Sequence, residues 1–372
     1  MRDVGRALRS PSGPALQAAQ KRAVRAGQQA ATPVTLFEEA VPEVAVAMPF
    51  DLWAGVLLDP VTLLNTGGCF RHGVSAQWMP RMLDIEYREG DANQMPALAK
   101  QSMPVGSLAS SLDGRLERSV RYRDIYRPLG LGDEMRVVLR DAGRVWGALV
   151  LARAADRPPF SDAELAFAAG LSAPLGRALR RSLVAPTRAM RSGTSGIALL
   201  AADYSVISTS STAAAWFAEL AEEPARGGGL PASAYSVAAA ARRSESGGSR
   251  ACVRTRTGGW AALEGWRLEA HEEPRVALSI GPAAPSDQVE ALIKAYALTP
   301  RECAVLTQVL RGASTKEISH RLRLSEYTVQ DHLKAIFDKT GVRSRRELMG
   351  HVFFRHYLPD IGLPNGPHAP VA

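Results

Sequence analysis

Between Ser325 and Thr340 the chain sets Glu326, Gln330, Asp331, Lys334 and Asp338 on one side of a 3.6-residue repeat and Val329, Leu333, Ile336 and Phe337 on the other. The apolar row is a stripe for burial. The polar row is a strip of donors, acceptors and one ammonium that nothing nearby in the sequence covers. From Thr299 to His356 there are 11 Lys/Arg against 6 Asp/Glu, a cationic excess that suits a polyphosphate partner. Ile318, Leu322 and Leu324 supply apolar packing behind the polar strip, as in the two-helix arrangement whose second helix enters the DNA major groove. Capped, striped helices also build plain protein-interaction units, so the residues alone leave both readings open.

The elements that must hold this strip announce themselves by their ends. Thr299-Pro-Arg-Glu302, Ser314-Thr-Lys-Glu317 and Ser344-Arg-Arg-Glu347 each place a hydroxyl at a helix start and a carboxylate three residues on, which satisfies two backbone donors reciprocally. Pro300 fits a first helical position, and Gly312 and Gly341 fit the left-handed stops of the first and third helices. Four short helices are expected, the third running from the Ser325 cap to Thr340.

The order LTPRE at 298–302, G-x-S-x-K-E-I at Gly312 to Ile318, L-x-L-S-x-x-T-V-x-x-H at Leu322 to His332, and K-x-G-V-x-S-R-x-E-L at Lys339 to Leu348 resembles the LuxR-type DNA-binding domain. The resemblance implies that Gln330, Asp331 and Lys334 face bases or adjacent phosphates, and that Thr328, Lys339, Arg343 and Arg345 lie near the phosphate backbone. Two departures stand out. The frequent Lys after Thr-Val is Gln330 here, and Asp331 puts a negative charge on the groove side. Gln pairs bidentately with adenine and Asp accepts from cytosine N4, so both tune sequence choice.

The whole chain has 372 residues, 46% hydrophobic and 22% charged, enough for two or three domains with cores of their own. Its three cysteines, Cys69, Cys252 and Cys303, are scattered, which suggests neither a disulfide framework nor a zinc site. No apolar run approaches the roughly 20 residues needed to cross a bilayer. A cytoplasmic protein is expected. Residues 1–31 form a basic arm or helix, with six Lys/Arg against Asp3 up to Ala30.

Residues 32–185 read as one α/β module. Met135 to Leu139 and Val145 to Ala152 are β-rich runs joined by the turn Asp141-Ala-Gly-Arg144, and Ser161 and Glu164 cap one helix running towards Arg181. Phe50 to Leu64 supplies a strand or two upstream, ending at Asn65-Thr-Gly-Gly-Cys-Phe70. Strand, hairpin, F-S-D-A-E-L and amphipathic helix resemble the closing half of a GAF sensory domain, which implies a small-ligand cup over the sheet. Trp53, Cys69, His72, Trp78 and Tyr87 are its candidate lining residues, with ordinary core packing as the alternative for each. Cys69 and His72 sit three apart with no partner cluster in sequence, which argues against a metal or nucleophile.

Residues 196–281 form a smaller α/β unit, two strands, a helix and three further strands, that resembles a PAS-like fold. Residues 282–298 are a linker helix after Pro282-Ala-Ala-Pro-Ser286, residues 299–356 the LuxR-type unit, and 357–372 a Pro- and Gly-rich tail expected to be disordered. The chain is thus expected to be multidomain: a GAF-like α/β domain, a PAS-like α/β domain and an all-α helix-turn-helix domain. Neither a clustered acid–base pair nor a G-x-S-x-G elbow, a P-loop or an aspartyl-phosphate receiver arrangement is found, and no cofactor is evident. The expected function is a non-enzymatic transcriptional regulator that binds double-stranded DNA as a homodimer, its N-terminal sensory domains responding to a small-molecule effector, a redox state or a protein partner. The alternative is a ligand-binding or protein-interaction protein whose helical end does not bind DNA.

Overall fold

The computed structural model describes residues 13–183, 193–220, 222–223, 225–227, 229–257, 259–269, 274–284, 287, 296 and 298–348. The far N-terminal arm, most of the linker helix and the tail expected from the sequence lie outside these residues. The chain divides into two compact units, one of Met1–Ser182 with Glu222–Glu245, the other of Leu183–Ala221 with Ser246–Ala372.

The first unit opens with helices α1 (Gly13–Gln29) and α2 (Pro33–Ala47). Thr32 and Thr35 exchange side-chain and backbone hydrogen bonds at the start of α2, with Pro33 pre-set for the first turn. Strands β1 (Leu52–Leu58) and β2 (Asn65–Cys69) follow, so the glycine-bearing stretch expected to close the strand region is itself a strand. Then come α3 (Met79–Asp84), a π-helical turn at Ile85–Glu89, α4 (Met95–Lys100), β3 (Val105–Ser107) and α5 (Leu108–Ser111). The hairpin of β4 (Leu131–Asp141) and β5 (Arg144–Ala154) turns through Ala142 and Gly143, both at positive φ, 50° and 73°.

The single helix expected after the hairpin is two, α6 (Asp162–Ala169) and α7 (Ser172–Leu183). Pro174 has no N–H to offer the carbonyl four residues back, which ends continuity there. The break also admits α1: Gln20 donates to the Phe167 carbonyl at 3.2 Å, and a Cβ on Gly170 would lie 1.9 Å from that side chain.

Period-two alternation gives the sheet two different faces. Gly55 and Gly147 belong to the helix-covered one, where a Cβ would lie 2.2 Å from the Phe37 ring and 2.8 Å from Leu179. Leu52, Ala54, Val56 and Leu58 of β1 and Val150 and Ala152 of β5 look the other way, into a cavity.

The second unit begins with β6 (Gly196–Leu200), β7 (Val206–Thr209) and α8 (Ser211–Glu219), whose first turn Ser210 caps. Next in sequence, β8 (Glu222–Glu223) and α9 (Ala232–Arg243) return to the first unit. The expectation of one unit over 196–281 did not foresee this. Strand β8 pairs in parallel with β2 and completes a sheet of order β3-β4-β5-β1-β2-β8, while Ser236 of α9 donates to the Asn65 carbonyl at 2.8 Å. Three antiparallel strands, β9 (Gly248–Arg254), β10 (Trp260–Leu268) and β11 (Arg275–Pro282), close a second sheet of order β7-β6-β11-β10-β9.

The C-terminal helices are α10 (Pro300–Leu310), α11 (Thr315–Leu322) and α12 (Glu326–Thr340), with a further helical turn at 345–348. Gly312 and Gly341 take the expected left-handed conformation, φ 79° and 72°, and Arg323 joins them at 53° between α11 and α12.

Candidate nucleic-acid interface and ligand cavity

Each C-terminal helix starts on the expected hydroxyl. Thr299 accepts from the Glu302 amide at 3.2 Å while Glu302 accepts from the Thr299 amide at 2.7 Å, and Ser314 and Glu317 do the same at 3.3 and 2.6 Å. Ser325 caps α12 by accepting from the Thr328 amide at 3.0 Å, and its hydroxyl lies 2.8 Å from that of Thr328. The third box is modified: Ser344 accepts from Glu347 at 3.0 Å, but the Glu347 carboxylate accepts from the Arg343 amide, one residue earlier, at 2.8 Å.

Val329, Leu333 and Ile336 of α12 are buried with Ile318, Val305, Leu306, Val309 and Leu348, and Leu322, Leu324 and Phe337 pack against them. This core fixes which side of α12 looks outward. Gln330, Asp331 and Lys334 are all exposed there, Gln330 within 3.4 Å of the Thr315 hydroxyl. Tyr327, 77% exposed, stands on the same side, three, four and seven residues before them. It was missed in the sequence because the polar strip was counted by charge and amide alone; the i, i+3, i+4, i+7 spacing was the available signal.

The candidates for the phosphate backbone divide. Arg343 is exposed, and Thr328 is half-buried at the cap. Lys339 instead lies 2.6 and 2.9 Å from the two oxygens of Glu302, tying α12 to α10. Burial pushes the Glu302 carboxyl up, but the Lys339 ammonium and the Thr299 amide outweigh it and hold the group below the usual carboxylate range. Arg345 donates to the Ala313 carbonyl and fastens the last turn to the start of α11.

In the first unit the cavity has a volume of about 80 Å³. Of the five candidate lining residues, Trp53 and Tyr87 reach it. Cys69 and His72 do not, and Trp78 packs against the neighbouring cluster of Ile85, Leu108 and Ile125. Unforeseen members are Glu86, Arg136, Tyr126 and Asn65. Arg136 belongs to a buried charge chain: its Nε donates to Glu134 at 2.5 Å, its Nη1 to Glu86 at 2.5 Å, and Arg121 donates to the second Glu134 oxygen at 2.6 Å. Burial raises the Glu134 carboxyl, yet the two guanidiniums together bring it below its ordinary value. Burial likewise pushes the Tyr87 and Tyr126 hydroxyls far up, so both stay neutral donors. Glu134 and Arg136, two apart on a buried strand, were the signal in the sequence for a charged floor.

Comparison with known proteins agrees with this division. Residues 296–352 match the family described as bacterial regulatory proteins, luxR family, and residues 40–179 match the GAF domain. The probable HTH-type transcriptional regulator GfsR of Streptomyces halstedii is 42% identical over 53 residues, 14% of this chain and 22% of that protein. The transcriptional regulatory protein ComA of Bacillus subtilis (strain 168) is 42% identical over 64 residues, 17% of this chain and 28% of that protein. The chain thus spans about a quarter of the length of these curated relatives. Among solved structures, the GAF domain from an Acinetobacter phosphoenolpyruvate-protein phosphotransferase is 18% identical and covers 46% of this chain and 96% of that chain, with a TM-score of 0.32.

Proposed function

We propose that this chain, which carries a GAF domain followed by a luxR-family domain, is a sequence-specific DNA-binding transcriptional regulator without enzymatic activity. One observation carries the reading: Tyr327, Gln330, Asp331 and Lys334 stand exposed along one side of α12 while Val329, Leu333 and Ile336 anchor the other. A helix so anchored presents a short row of groups to the bases and adjacent phosphates of a major groove, with the Lys334 ammonium on a phosphate. Thr328 and Arg343 contact phosphates beside it. Lys339 and Arg345 act by fastening the helices.

Two protomers dock their α12 helices in successive major grooves, with half-sites about one helical turn apart. The GAF cavity takes a small effector between apolar walls and the Arg136–Glu86 floor. The second sheet, in which two strands, a helix and three antiparallel strands follow in turn, supports a PAS-like reading of that part. Effector binding alters DNA affinity only insofar as it favours the DNA-competent state over the other.

The test is an anisotropy titration of the full chain with duplexes from upstream of its own gene, at several salt concentrations. Affinity should fall linearly in log–log form with salt and weaken in the Gln330→Ala/Lys334→Ala double variant. Equal affinity for wild type and the double variant would remove α12 from the groove.

A further inference from the structure

Helix α2 and the chain at the end of strand β2 bring Glu38 together with Cys69, 31 residues later, and His72, three residues beyond that. Glu38, Cys69 and His72 offer a carboxylate oxygen, a thiol sulfur and an imidazole nitrogen that all lie within 4.8 Å of one another. Ligands around one tetrahedral zinc ion sit about 3.5 Å apart, from Zn–S of about 2.3 Å and Zn–N or Zn–O of about 2.1 Å, so small side-chain adjustments close the set. We propose that Glu38, Cys69 and His72 form a binding site for one divalent cation of borderline softness, Zn²⁺ or its spectroscopic substitute Co²⁺.

The surroundings suit that role. Cys69 is fully buried, and the backbone at Arg71 favours its thiolate form, as suits a metal-bound sulfur. The His72 ring is held against Trp53, centroids 4.6 Å apart and planes 13° from parallel, which fixes its orientation while leaving it open to solvent for metal entry. Glu223, paired with Cys69 across β2 and β8, adds negative charge at the same sulfur. Thiolate, imidazole and carboxylate together favour zinc or cobalt over the hard cations magnesium and calcium. Burial, then the Glu38 charge, push the free thiol up to about 11, so it is protonated when empty. Binding exchanges that proton for the metal: the S–H bond breaks, the proton leaves to solvent, and the sulfur pair goes to the cation. Arg71 competes, because its guanidinium takes one oxygen of Glu38.

The experiment is titration of the full chain with Co²⁺ alone, read by the thiolate-to-cobalt charge-transfer absorption. One equivalent should bind with that band, and Zn²⁺ should displace it. His72→Ala and Glu38→Gln should each weaken binding at least tenfold, and Arg71→Gln should tighten it severalfold. Cys69→Ser should abolish the band. The Cys252→Ser/Cys303→Ser double variant should retain it, which keeps the test valid if Cys69→Ser folds poorly. Absence of the band from folded wild type with free thiols, or its loss in the double variant, would overturn the site, as would equal affinity in the His72 and Glu38 variants.

Discussion

Lys334→Ala and Lys339→Ala should separate a side chain that serves the partner from one that serves the fold. Both lie on α12 and both are cationic. Lys339 places its ammonium 2.6 and 2.9 Å from the oxygens of Glu302, a residue only 5% exposed, whereas Lys334 has no hydrogen-bond partner among the described residues. Truncating Lys339 leaves that carboxylate with Thr299 as its neutral partner, and losing charged hydrogen bonds of this kind costs about 1.5–3 kcal/mol. In a helical unit of this size each kcal/mol moves Tm by about 4–8 °C, so its transition should fall by about 6–24 °C. Lys334→Ala should stay within about 0.5 kcal/mol of wild type. On duplex DNA the order reverses: loss of one phosphate contact flattens the salt slope by about 0.9, and this belongs to Lys334. Calorimetry of the full chain, with the relevant transition identified by its rise on adding duplex, and anisotropy across salt measure the two effects. An unchanged transition in Lys339→Ala together with a flattened slope would refute the assignment and make Lys339 the phosphate contact. The pH dependence carries the same sign: Glu302 is held low in the fold, so its contribution is present above the unfolded value of about 4.3 and disappears as pH falls through the lower folded one.

Tyr327→Ala, at a site 77% exposed, should leave stability unchanged and weaken DNA binding by about 1 kcal/mol, roughly fivefold; equal affinity would take Tyr327 off the interface. Glu134→Gln removes the carboxylate between two buried guanidiniums and should cost the first unit about 3–5 kcal/mol. A wild-type urea midpoint would contradict that charge chain. Burial raises the Glu222 carboxyl to about 7, against the amides of Ala232 and Ser233 that favour its charge. Its proton is therefore taken up on folding, and stability should decline as pH rises from about 4.5 to 7. Glu222→Gln should flatten that part of the pH–stability curve; an undiminished decline in the variant would place its cause elsewhere.

Local chemistry is legible in the sequence. A hydroxyl and a carboxylate three residues apart specify a helix start whatever surrounds them, which is why Thr299, Ser314 and Ser161 sit where the sequence put them. The 3.6-residue stripe of Val329, Leu333 and Ile336 fixed the outward side of α12 in the same way. Properties set by distant partners were not readable. Lys339 looked like a phosphate contact because Glu302 lies 37 positions away. Cys69 and His72 looked solitary because Glu38 is 31 residues before the cysteine and on another element. The Ala-rich stretch of α9 looked local to the second sheet, since nothing in Ala232–Arg243 names β2 as its neighbour. The stretch from Asp162 to Leu183 looked like one helix, and nothing in it names Gln20 of α1 as the neighbour that sits against Gly170.

The return of Glu222–Arg243 to the first unit also sets a timetable for synthesis. A chain emerging from the ribosome delivers β1 to α7 early, but the strand and helix that finish that sheet come only after β6, β7 and α8 have passed. At about 5–20 residues per second, the 61 residues from Leu183 to Arg243 take about 3–12 s, during which the rim of β2 awaits its partner. An unpaired strand rim invites pairing with other chains. Nascent molecules in this interval are where chaperone dependence should concentrate, and slowing translation between α7 and α9 should lower soluble yield more than the same delay placed after Arg243.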